Sequence, residues 1–209
     1  MKRTSARTLK IPKELLEDPQ LGKMIAQHGS LDLGSWGRSK KPFESLVRSI
    51  VHQQVSGKAA ASILKKFVAQ FETRFPTPHD VLVISTKKLR RAGLSTQKTT
   101  YIKDLALKFT DGTLSPRKFS KMSNEELTEH LTAVKGVGVW TAQMFLIFTL
   151  KRPDILPTLD LGIRKGFQVA YRLKELPTHE EMEKRARMWR KHATVASLYL
   201  WRIADQHKK

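Results

Sequence analysis

Leu131-Thr-Ala-Val-Lys-Gly136-Val-Gly138-Val-Trp140-Thr-Ala142 is the stretch whose reading decides the fold. Leu131 and Val134 close one helical pattern, and an apolar helix follows the glycines, so two helices meet at a short turn. Glycines two apart let the backbone turn tightly and come close to another surface. The second glycine opens a new helix, whose unpaired N–H groups and positive dipole end form a site for phosphate. A plain helix–turn–helix corner uses the same residue types, and Gly-Val-Gly alone does not separate the two.

Outward from the hairpin, the chain reads as all-α. Phe43, Leu46, Val47, Ile50 and Val51 fall at helical spacing, and Ser56 can cap a second helix carrying Ala60, Leu64, Phe67 and Phe71. Phe75-Pro76-Thr77-Pro78 reads as a turn before another short helix; Val81 to Ile84 could also be a strand by β-propensity, but no partner with period-two alternation lies nearby. Ser85 caps a short helix that stops at Gly93, and the next helix runs from Thr96 to Phe109. Ser123 with Glu126, and Thr178 with Glu181, are capping boxes. A last helix holds Val195, Leu198, Tyr199 and Trp201. Trp189 and Trp36 read as core residues.

Composition narrows the function. There is no cysteine, which removes disulfides, thiol catalysis and iron–sulfur clusters. The seven histidines form no pair at metal-ligand spacing on one helix face. No apolar run reaches membrane-spanning length, and the basic start, Met1 to Pro12, lacks the apolar region of a secretory signal, though it leaves a transit peptide open. Lysines and arginines number 39 against 19 acids, a formal net charge of +20. Individual lysines coat helix faces, but the sum favours a polyanionic partner, nucleic acid first.

After the hairpin the chain runs Phe145-Leu-Ile-Phe148 and then Pro157-Thr-Leu-Asp160-Leu-Gly162. This layout resembles the helix-hairpin-helix DNA glycosylase superfamily. Ser49-Ile-Val-His-Gln53-Gln54-Val-Ser-Gly-Lys-Ala-Ala and Gly93-Leu-Ser-Thr-Gln-Lys98 are similar to segments of its DNA-3-methyladenine glycosylase II branch. The resemblance spans residues 42 to 205. It implies a helix-hairpin-helix glycosylase fold with two helical lobes and a cleft: lobe A about residues 1–50 plus 156–209, lobe B about 51–155 with the hairpin at 131–142. It also implies that Asp160 is the catalytic carboxylate. Read locally, an aspartate before an apolar helical run is an N-cap. The two roles are compatible, because a helix N-terminus favours a negative charge. An ionised carboxylate beside a sugar stabilises an oxocarbenium-like transition state.

The lysine that forms a Schiff base in strand-cutting members of the superfamily would fall at Trp140, and an indole cannot do that chemistry. The resemblance therefore implies a monofunctional enzyme. It also implies a base pocket of Trp140, Trp201, Met144 and Leu161, although Trp140 equally reads as a core residue under the hairpin. Met144 and Leu161 stand where a well-known member has tyrosines, and Ala193-Thr194 stands where the branch often has Arg-Ser. Gly136, Gly138, Gln53, Gln54, Ser95, Thr96, Gln97 and Lys98 are the expected DNA-binding residues. The Ser95-Thr96-Gln97 turn lies where the branch carries its wedge, but ordinary loop polarity explains Thr96 as well. No cofactor is required. A structural Na+ or K+ ion at the hairpin, on the backbone carbonyls of Thr132, Val134 and Val137, is a further expectation.

The expected function is hydrolysis of the N-glycosidic bond of alkylated purines, 3-methyladenine and 7-methylguanine, in double-stranded DNA. Two alternatives stand beside it. A non-catalytic sensor of damaged DNA would have no need of Asp160, and a bifunctional lyase is opposed by Trp140. A monomer with no membrane partner is expected, cytoplasmic at the nucleoid in a bacterium or nuclear in a eukaryote, and not secreted.

Overall fold

The computed structural model describes residues 10–31, 41–72, 74–189 and 191–207; Trp36 and most of the basic start lie outside them. Among the described residues every regular element is helical. In chain order these are α1 (Lys13–Leu16), α2 (Leu21–His28), α3 (Pro42–His52), α4 (Gly57–Val68), α5 (Pro78–Val83) and α6 (Thr86–Arg91). There follow α7 (Thr96–Thr110), α8 (Pro116–Phe119), α9 (Asn124–Thr132), α10 (Val139–Phe148), α11 (Leu161–Tyr171), α12 (His179–Ala186) and α13 (Ala193–Gln206). None of them is long and apolar enough to cross a membrane.

The helices start where side-chain oxygens can take the orphan amides. Ser56, Ser85 and Ser95 each accept from the amide three residues on. Both expected capping boxes, Ser123 with Glu126 and Thr178 with Glu181, are formed. Of the two readings of Val81 to Ile84, the short helix holds and the strand does not: these residues belong to α5 and its C-cap. Thr77 and Asp80 make a capping box, and Pro78 sits in the first turn, so local capping prevails over β-propensity. Arg74 pairs with Asp80 at 2.8 Å; that bond, then the Thr77 amide, holds the carboxyl at about 2.

The chain makes two compact units, Met1–Ser39 with Leu146–Lys209, and Lys40–Phe145. Helix α3, in which residues up to 50 were expected with the terminal lobe, instead belongs with the middle of the chain, because it packs on α4 and α7.

In the first unit α11 packs along α13, and both meet α2. Leu15, Leu21, Ile25, Ile163, Phe167, Trp189, Leu200 and Ile203 form its core. A fully buried carboxylate, Asp18, stands in that core. It accepts from the amides of Gln20 and Leu21 at 3.0 and 2.9 Å, from the Tyr171 hydroxyl at 2.5 Å and from the Trp189 indole at 3.1 Å. A buried charge is tolerated when its acceptor sites are filled in this way. Burial, and then the Asp18 carboxylate, push the Tyr171 phenol far above its ordinary value.

In the second unit α3, α5 and α6 all pack on α7. The rings of Phe43 and Phe109 meet edge to face with centroids 5.3 Å apart, and those of Phe119 and Phe145 with centroids 6.1 Å apart. Lys103 of α7 reaches back to the carbonyls of Leu82 and Ile84 at the end of α5, at 2.7 and 2.5 Å.

Candidate active site

Asp160 is the N-cap of α11, with φ −72° and ψ 123°. Its Oδ1 accepts from the Ile163 amide at 2.9 Å and from the Trp201 indole N–H at 2.8 Å. The expected cap and the Trp201 indole thus meet on one oxygen atom. Trp201 lies on α13, where its ring stacks on Phe148 with centroids 5.8 Å apart and planes 26° apart.

Two glycines bring these groups together. A Cβ on Gly162 would lie 2.9 Å from Cδ1 of Trp201 and 3.1 Å from Oδ1 of Asp160. A Cβ on Gly166 would lie 1.9 Å from the Leu200 carbonyl oxygen, which no side chain can accept. Because residues four apart share a helix face, the two glycines open one face of α11 to α13 and let the indole reach the carboxylate.

The segment leading to Asp160 is pinned. The Thr158 hydroxyl bonds Nδ1 of His179 at 2.5 Å, and the Asp160 amide donates to the Pro157 carbonyl at 3.0 Å. Thr194 donates to the Arg152 carbonyl at 2.6 Å and accepts from the Ile155 amide at 3.1 Å. Thr194 thus ties the stretch before Asp160 to the start of α13. On either side of the carboxylate, Leu159 and Leu161 are 73% and 54% exposed. Phe148, which stacks on Trp201, is half exposed as well.

Trp140 is also half exposed and Met144 is partly buried. Trp140, Met144 and Phe148 share one face of α10 by their four-residue spacing. That spacing was the sequence signal for Phe148, which the reading from sequence missed along with Leu159 and His179.

The hairpin is built in the other unit. Gly136 has φ +79°, and a Cβ there would lie 2.0 Å from the Tyr101 ring. Gly138 precedes α10, accepts the Ala142 amide at 3.0 Å, and has nothing within 4 Å of the place a Cβ would take. One glycine is required by the fold, and the other faces open space at a helix N-terminus. The Lys135 amide donates to Asp104 at 2.9 Å, and the Gln53 amide group donates to the Gly136 carbonyl at 2.8 Å. Lys98 donates to the carbonyls of Val51 and Gln53 at 2.8 and 2.7 Å, and burial lowers its pKa.

Gln53 and Lys98 are thus gathered on the hairpin's supports. Gln54 is exposed, with φ +55°. Ser95, Thr96 and Gln97 are exposed as well; Ser95 caps α7, Thr96 accepts from Arg90 at 2.8 Å, and Gln97 donates to the Tyr101 hydroxyl at 2.6 Å.

A carboxylate beside stacked aromatic rings can steady a positive charge, and a two-glycine turn at a helix N-terminus can hold phosphate. Residues 47–191 match the model of the HhH-GPD superfamily of base excision DNA repair proteins. The chain belongs to that superfamily.

Two proteins of Schizosaccharomyces pombe are similar to it. DNA-3-methyladenine glycosylase 1 is 36% identical over 174 residues, covering 81% of this chain and 76% of that protein. An alkylbase DNA glycosidase-like protein is 35% identical over 171 residues, covering 80% of each. Among solved structures, the DNA-3-methyladenine glycosidase of Bacillus halodurans matches with a TM-score of 0.86 at 33% identity, covering 93% of this chain and 88% of that one. The S. pombe 3-methyladenine DNA glycosylase in complex with abasic DNA matches with a TM-score of 0.76 at 33% identity, covering 90% and 93%.

Proposed function

We propose that this chain is a DNA-3-methyladenine glycosylase that hydrolyses the N-glycosidic bond of alkylated purines. The observation that carries the reading is Asp160, fixed at the N-terminus of α11 by the Ile163 amide and the Trp201 indole, in a chain of a base excision repair family.

Alkylation at a ring nitrogen makes a purine cationic. When the bond from C1′ to nitrogen breaks, its electron pair goes to the base, which leaves neutral and needs no general acid. Positive charge is left on the sugar, and the Asp160 carboxylate faces that charge. Water then adds to C1′ and its proton passes to solvent. To reach this site the base must leave the duplex stack. The stacked rings of Trp201 and Phe148, with Leu161 at the rim, supply π-faces and apolar surface to receive it. With Trp140 where a nucleophilic lysine would stand, no covalent sugar adduct forms and the strand is left uncut. Gly136 and Gly138 carry the duplex by its phosphates, with Gln54 and the Ser95-Thr96-Gln97 turn as further contacts.

We further propose a monovalent cation at the hairpin, because backbone carbonyls suit Na+ or K+. Thr132, Val134 and Val137 would hold the ion and add positive charge beside the phosphate. Exchange of K+ for tetramethylammonium at equal ionic strength weakens duplex binding if it is there.

The reading is tested by incubating the protein with methylated DNA and identifying released bases by chromatography. Release of 3-methyladenine and 7-methylguanine from uncut strands is the expected result; no release contradicts it.

A further inference from the structure

We propose that Lys98 and Gln53 serve DNA binding as positioning residues, which fix the hairpin through its Gly136 carbonyl and do not themselves meet phosphate. The proposal rests on the reading of the hairpin as the element that holds DNA.

The last carbonyls of a helix have no partner within it. At the end of α3 the Lys98 ammonium takes two such groups, the carbonyls of Val51 and Gln53, at 2.8 and 2.7 Å. A cation at a helix C-terminus also meets the negative end of the dipole. The chain turns sharply there, with Gln54 at φ +55°, so the clamp decides where the Gln53 backbone sits. From that backbone the Gln53 side chain spans to the Gly136 carbonyl at 2.8 Å.

The same helix that supplies Lys98 supports the hairpin directly. Tyr101 fills the space beneath Gly136, where a Cβ would lie 2.0 Å from its ring. Asp104 accepts the Lys135 amide at 2.9 Å and is itself paired with Lys108 at 3.1 Å. Lys98, Tyr101 and Asp104 follow at intervals of three, on one face of α7. The hairpin is therefore held at a carbonyl, at a Cα and at an amide, while Gly138, with open space about it, is left to the ligand. A lysine whose charge suggests a phosphate contact is instead committed to two protein carbonyls.

The two roles differ in their salt dependence. Each phosphate neutralised by a lysine adds about 0.9 to the slope of log affinity against log salt. Loss of a positioning residue lowers affinity at every salt concentration and leaves the slope unchanged. The experiment measures binding of the full chain to an undamaged duplex by fluorescence anisotropy over a range of salt, for Lys98→Met, Gln53→Leu and the double variant.

Each single variant is expected to bind about tenfold more weakly, with the slope unchanged. The double variant should be no weaker than Lys98→Met, because both act through one contact. Hydrogen exchange at the amides of Val137 to Trp140 should quicken in both single variants. A slope shallower by about 0.9 in Lys98→Met means a direct phosphate contact and overturns the proposal. Additive losses, or unchanged affinity, overturn it too. If Lys98→Met does not fold, Lys98→Gln is read for the slope in its place, and Gln53→Leu is read by affinity and by hydrogen exchange at the hairpin amides. Failure of the unaltered chain to bind duplex at all overturns the hairpin reading, and the positioning role with it.

Discussion

The indole N–H of Trp201 donates to Oδ1 of Asp160 at 2.8 Å, the same oxygen that caps α11 through the Ile163 amide. A hydrogen bond to a charged group contributes about 1.5–3 kcal/mol. Here it also fixes which way the carboxylate faces. Trp201→Phe keeps a ring to stack on Phe148 and removes only the donor. Its turnover should fall about tenfold to a hundredfold, by the rate equivalent of that bond, with duplex affinity unchanged. Single-turnover rates beside binding curves check this.

Gly162→Ala tests the same contact from the other side. Its methyl would press on both Trp201 and Asp160, at 2.9 and 3.1 Å. We expect slower base release and a stability loss of about 1 kcal/mol. Combined with Trp201→Phe it should add little to the loss of rate, since residues sharing one contact are not additive. Gly166→Ala, which meets backbone at 1.9 Å, should cost at least about 3 kcal/mol, measured by urea unfolding.

The two hairpin glycines should separate. Gly136→Ala must strain a φ of +79° and collide with Tyr101, so it should lower stability by about 1–3 kcal/mol. Gly138→Val has room for its Cβ and should keep stability within about 0.5 kcal/mol, while weakening binding to every duplex sequence alike. Equal stability losses in the two variants would contradict this division.

Stability at high pH should depend on Tyr171. Its folded pKa is raised by burial and by Asp18, so the folded state keeps a proton that the unfolded chain loses near its ordinary value of 10.0. The contribution is complete below that pH and declines as pH rises above it. Tyr171→Phe takes one donor from buried Asp18 and should cost about 1–3 kcal/mol at neutral pH. The difference from the unaltered protein should narrow as pH rises past 10, followed by denaturant midpoints.

Selectivity should favour cationic bases, such as 3-methyladenine and 7-methylguanine, over neutral ones such as hypoxanthine. If Asp160 faces the sugar cation, as proposed, it cannot also protonate a neutral leaving base. An aromatic face attracts a cation by roughly 0.5–2 kcal/mol, so the weaker bond of the cationic nucleotide supplies most of the preference. Trp201→Ala should slow release of cationic bases and leave their rank above neutral ones. Hypoxanthine leaving as fast as 3-methyladenine would refute the idea.

What was legible in the sequence was local. Ser123 with Glu126, Thr178 with Glu181, Gly136 with Gly138, and Asp160 as a cap all act within a few residues, where spacing dictates geometry. The exception, Thr77 with Asp80, was masked by the β-branched run that follows it. What spacing does not reveal is contact between distant segments. Nothing in the spacing around Asp18 signals burial, yet Tyr171 and Trp189 enclose it in the core. Lys98 reads as a DNA contact from its charge and its motif, yet two carbonyls of α3 take its ammonium. The Trp201 bond to Asp160 depends on Gly162 and Gly166, whose smallness has meaning only once α13 lies against α11.

Asp160→Asn is the most direct test of the account. Asparagine is a good N-cap of the same shape, so the helix start should cost at most about 1 kcal/mol and the fold should persist. The amide carries no charge to oppose the sugar cation. The measurement is single-turnover release of 3-methyladenine from a defined duplex, alongside binding to that duplex and a thermal melt. The account predicts undetectable release with binding and folding retained; near-normal release from a folded Asp160→Asn protein would contradict it.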